Sequence, residues 1–70
     1  MPDLTLRGPF ITLAQALKVA GFAPSGGQAK QLARAGQVRV NGVPESRPGR
    51  KLKSGDHFQV AQEAEWTVTE

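Results

Sequence analysis

The side chains of this sequence that could do chemistry are cations. Lys18, Lys30, Arg34, Arg39, Arg47, Arg50, Lys51 and Lys53 fall in one stretch that holds a single acid, Glu45, and therefore carries +7. The flanks set Arg7 against Asp3, Asp56, Glu63, Glu65 and Glu70, a balance of −4, so the net +3 conceals a segregated field. Such a field favours polyanions, because phosphate contacts supply most sequence-independent affinity for nucleic acids. Lys30 and Arg34 stand one helical turn apart and share a flank, where both can neutralise phosphates of one strand. Just before them Gly26 and Gly27 open the same helix. Bare amides at that point accept a phosphate on the positive end of the helix dipole; the alternative is that the glycines let two helices pack closely. Arg39 and the loop cations Arg47, Arg50, Lys51 and Lys53 either extend this surface or are simply solvated. Lys18 is read as a solvent-facing charge.

The inventory for catalysis is nearly empty. There is no cysteine, one histidine, His57, and no pair of carboxylates placed to converge. Asp56 reads as a turn residue bonded to its own backbone, and His57 beside it as structural or solvated. No cofactor motif or metal-ligand spacing is present. Phe58 and Trp66 read as core, and the chain has no tyrosine and no aromatic pair of the kind that stacks bases from a strand. Recognition of phosphate backbone and groove shape suits this composition better than base reading.

The elements that position these residues follow from capping and periodicity. Seventy residues make one small domain, 1–70, with little spare stability. Ser25 followed by Gln28 is a capping box that starts the second helix near Gly26; Ala29, Leu32 and Ala33 share an arc, and Gly36 ends it. Val38 and Val40 then face one way and Arg39 the other, and Asn41-Gly42 supplies the positive φ angles of a two-residue hairpin. Upstream, Thr12 with Gln15 repeats the capping box, and Leu13, Ala16, Leu17 and Ala20 form the buried arc of a first helix closed by Gly21. Leu4 and Leu6 alternate as a short edge strand, and Pro44 places the returning hairpin strand at an edge. Residues 45–51 read as a polar, basic loop without apolar periodicity. Phe58-Gln59-Val60 and Trp66-Thr67-Val68 alternate as strands. No apolar run approaches the ~20 residues of a membrane span, and a monomer in the cytoplasm is expected.

The series Leu13, Leu17, Gly21, Ser25, Ala29, Leu32, Gly36, Val38, Val40-Asn41-Gly42 and Gly55-Asp56 resembles the RNA-binding domain named after ribosomal protein S-four, the αL motif. Within that superfamily Ser25-Gly26-Gly27-Gln28-Ala29-Lys30, Gly36 to Gly42, Glu45, Arg47 and Lys51 look like the small stand-alone bacterial YbcJ-like proteins. The motif covers about residues 10–60. The resemblance implies an α+β fold, two short packed helices against a small antiparallel sheet, and structured RNA, of the ribosomal or transfer RNA class, held along the helix-hairpin face. On this chain that face comprises Ser25, Gly26, Gly27, Gln28, Lys30, Arg34, Arg39, Arg47, Arg50, Lys51 and Lys53. Many members place an arginine after the serine; here Gly26 stands there, so no side chain can reach RNA from that position. A module that meets an acidic protein surface is the alternative.

Overall fold

The computed structural model describes residues 2–70. Among the described residues nine elements follow in chain order: β1 (Asp3–Thr5), β2 (Ile11–Thr12), α1 (Leu13–Val19), α2 (Gly26–Arg34), β3 (Val38–Val40), β4 (Val43–Pro44), β5 (Lys51–Leu52), β6 (His57–Val60) and β7 (Trp66–Thr69). The strands form a five-stranded sheet in the order β1-β7-β6-β3-β4 and a separate pair, β2 with β5. The two helices pack on each other and on the sheet face that carries Leu4, Val38, Val40, Phe58, Val60 and Val68, all buried. Ala16, Ala29 and Ala33 are fully buried, and such short side chains let the helix axes approach closely.

The α+β architecture is the expected one, with two differences. The main sheet is mixed, because β1 runs parallel to β7, pairing Asp3 with Thr67 and Leu4 with Val68. Its partner strand comes from the far end of the chain, which no local pattern signals. The second concerns residues 45–51, which leave the helix and strand pattern as expected up to Arg50 but are fastened into an ordered strap. Lys51 and Leu52 pair antiparallel with Thr12 and Ile11. The amides of Leu13 and Ala14, which a helix start leaves without partners, donate to the carbonyl oxygens of Arg50 (2.8 Å) and Pro48 (3.0 Å). Gln15 N–H donates to Thr12 Oγ1, and the Gln15 side chain accepts from Thr12 N–H, so the first capping box is complete. The start of α1 is thus sealed by the strap.

The hairpin turn has the anticipated geometry. Asn41 and Gly42 take φ of 54° and 81°, and Val40 pairs with Val43 across them. Gly36, at φ 80°, ends α2 in the left-handed conformation. Asp56 then ties two turns together: one carboxylate oxygen accepts from Lys53 N–H at 2.8 Å and the other from Asn41 Nδ2 at 3.2 Å. Asn41 Oδ1 in turn accepts from His57 N–H at 2.9 Å. The His57 ring sits 3.1 Å from Thr67 Oγ1, a structural role on the sheet. Phe58 is fully buried, and half-buried Trp66 lies between it and Phe22, stacked on Phe58 (centroids 6.2 Å apart) and edge-on to Phe22 (also 6.2 Å).

Candidate nucleic-acid interface

The start of α2 differs from that of α1. Ser25 is in extended conformation, its Oγ accepts from Gln28 N–H at 3.3 Å, and its carbonyl accepts from Ala29 N–H at 3.0 Å. The reciprocal bond, from the Ser25 N–H to the Gln28 side-chain oxygen, is expected of a capping box and is not formed, so this box is half complete. Among the described residues nothing accepts from the amides of Gly26 and Gly27. Packing does not require these glycines: a Cβ at either would meet no atom within 4 Å, and neither has a positive φ. Both residues are exposed, so the close-packing alternative is removed, and two amides without an acceptor among the described residues stand on the positive end of α2.

Lys30 and Arg34 lie on the exposed side of α2, away from buried Ala29 and Ala33, and neither forms an ion pair among the described residues. Arg39 is exposed on the sheet face opposite the helices, cross-strand from Gln59 and Pro44. It lines a shallow concavity with Gly36, Gln37, Gln59, Ala61 and Gln62, at the C-terminal end of α2. Nine helical residues span roughly 14 Å, so Arg39 and the open amides of Gly26 and Gly27 sit at opposite ends of the helix.

The strap cations fall into three local settings. Glu45, with a side chain only 9% exposed, accepts from Arg47 Nε (3.0 Å), Arg47 Nη2 (3.2 Å), Arg47 N–H (3.2 Å) and Arg50 Nη1 (2.8 Å). Lys51 places its ammonium 4.7 Å from the centre of the Phe10 ring, a cation–π contact on an aromatic that stays exposed. Lys53 is exposed, with its amide on Asp56 and Glu70 lining the same surface concavity. The role of Glu45 was not legible as a pattern: in the sequence it is the lone acid of a basic stretch, and only the fold buries it between two guanidinium groups.

The hydrogen bonds from Arg47 and then Arg50 hold the Glu45 carboxyl at about 2, against an ordinary value of 4.5, outweighing the opposing effect of burial. A lowered pKa in the folded state means that the carboxylate stabilises the fold above pH 4.5 and loses that effect as acid protonates it toward pH 2. The urea midpoint of the protein is therefore expected to fall between these values more steeply than that of Glu45→Gln, which has no carboxylate to protonate. Parallel curves for the two proteins across that range would remove Glu45 from the acid response.

No helix among the described residues is long and apolar enough to cross a membrane, and no group of three or more histidine or acidic side chains is placed to hold a metal ion. The family model of the S4 domain matches residues 4–69, so the match takes in most of β1 and all of β7 as well as the helix-hairpin unit. The probable ribosome maturation protein RlbA of Bacillus subtilis (strain 168) is 46% identical over 57 residues, which span 81% of this chain and 80% of the relative. Helix pair, hairpin and matched span agree, and the chain belongs to the S4-domain family.

Proposed function

We propose that the protein is a non-catalytic RNA-binding protein that holds the phosphate backbone of structured RNA, of the ribosomal or transfer RNA class, as a monomer in the cytoplasm. The carrying observation is the fate of the one acid in the basic stretch. Glu45 is buried and internally paired, so the surface that residues 18–53 turn to solvent is cationic alone. Lys30 and Arg34 provide charge on α2 that is unpaired among the described residues, and the amides of Gly26 and Gly27, beside the Ser25 cap on Gln28, offer donors to a phosphate at its start. Arg47, Arg50, Lys51 and Lys53 add positive charge on the strap, and Arg39 adds it on the sheet face opposite the helices. The match to a probable ribosome maturation protein supports an RNA of the ribosome as the first one to test.

Replacing Gly26 and Gly27 together by alanine separates the amide site from general charge. Neither Cβ meets a neighbour, and alanine is the better helix former by up to about 1 kcal/mol per site, so the melting temperature should hold or rise. Two methyl groups beside the amides should nonetheless weaken binding of a ribosomal RNA fragment in a fluorescence anisotropy titration. Unchanged affinity would take the start of α2 out of the interface.

A further inference from the structure

We propose that Glu45 is a positioning residue for RNA: it holds the Arg47 guanidinium in one orientation on the strap, ready for a phosphate, and so strengthens the binding of a polyanion although it is itself an acid. This inference rests on the RNA-binding reading above.

Three observations carry it. The Glu45 backbone is fastened to β3, its N–H donating to Val38 O at 2.9 Å, so the carboxylate stands on the sheet. From there it grips Arg47 through Nε and Nη2 at once, the two-point geometry that fixes a guanidinium plane as well as its place. The Arg47 side chain is still 75% exposed, and its Nη1 has no hydrogen-bond partner among the described residues. The carboxylate is buried and the guanidinium displayed, so the pair leaves an oriented cation at the surface.

The strap that carries this pair is itself anchored. Arg50 donates to the same carboxylate, Arg50 N–H to Arg47 O at 3.2 Å, and the Pro48 and Arg50 carbonyls close on the start of α1. Arg50, whose side chain is 36% exposed, thus completes the neutralisation of Glu45 and leaves the trio with one net positive charge. A long flexible cation must otherwise be immobilised when it binds, and holding one rotamer-rich side chain in advance is worth about two- to tenfold in affinity. Loss of one negative charge through water and physiological salt acts in the opposite direction and is screened over about 8 Å. The two effects have opposite signs, which makes the proposal decidable.

The test uses a fluorescein-labelled RNA hairpin cut from ribosomal RNA, titrated with the full chain, Glu45→Gln, Arg47→Ala, the double variant Glu45→Gln/Arg47→Ala, and Arg47→Lys. Circular dichroism melts fix a temperature at which each is folded. Weaker binding by Glu45→Gln, by about two- to tenfold, with the double variant no weaker than Arg47→Ala, supports the proposal. Arg47→Lys keeps the charge at an exposed position but not the fork, so it folds even where Glu45→Gln does not, and it should also bind more weakly. Wild-type affinity or tighter in Glu45→Gln, or wild-type affinity in Arg47→Lys, overturns the positioning role while leaving the RNA-binding reading intact. A wild-type protein that binds no RNA overturns both.

Discussion

Raising salt fourfold at constant pH is expected to weaken RNA binding by roughly 50- to 150-fold, if about four phosphates are neutralised at 0.7 to 0.9 counterions each. Lys30 and Arg34 should account for two of these contacts. They are exposed, one turn apart and without ion pairs among the described residues, so they meet phosphate without first breaking a bond to the protein. Removing both charges, Lys30→Ala with Arg34→Ala, should reduce the logarithmic salt slope by about 1.4 to 1.8 and weaken binding by a similar factor for RNAs of different sequence. The melting temperature should stay near that of the wild type, because neither side chain packs in the core. A slope unchanged in the double variant would place the phosphate contacts elsewhere. A wild-type affinity indifferent to salt would remove the electrostatic mechanism altogether.

What the sequence reveals about this interface, and what it conceals, divides along a physical line. Caps, glycine stops and the Asn41-Gly42 turn act within four residues, so α1, α2 and the β3-β4 hairpin were legible from local pattern. Lys30 and Arg34 were legible too, since helical spacing alone puts them on one flank. The parallel pairing of β1 with β7 joins the two ends of the chain, and two short strands separated by more than sixty residues share no local signal. The internal order of the strap is not legible for a related reason. Its residues lack apolar periodicity because their order comes from a buried carboxylate and from carbonyl groups that accept from the amides of another element, neither of which hydropathy encodes. Pooling Arg47, Arg50, Lys51 and Lys53 as one basic cluster therefore merged three environments: a carboxylate clip, an aromatic face and a turn next to acids. Gly26 and Gly27 show the reverse. Two roles were open to them in the sequence, and the empty space around both removes the packing role.

Truncating Phe58 to alanine is expected to cost about 3 to 5 kcal/mol of folding free energy. Phe58 is the largest fully buried side chain; it is paired with Val40 on β3 and Trp66 on β7, and stacked on the Trp66 ring. The residues around it are mainly valine, leucine and alanine on short strands and helices, with little reach to fill the space it would leave. A chain of this length holds roughly 4 to 10 kcal/mol in total, so the variant should be marginally folded or unfolded at 25 °C, with its urea midpoint lowered and its near-ultraviolet tryptophan signal lost. Phe58→Leu keeps most of the volume and should cost less than about 1.5 kcal/mol, enough to show a shifted but intact transition. A midpoint for Phe58→Ala within error of the wild type would mean that the core is not centred on β6. Because Lys30 and Arg34 are solvent-exposed while Phe58 is not, the two sets of variants should separate cleanly: charge removal lowers affinity at constant stability, and core truncation lowers stability first and binding only through the loss of folded protein.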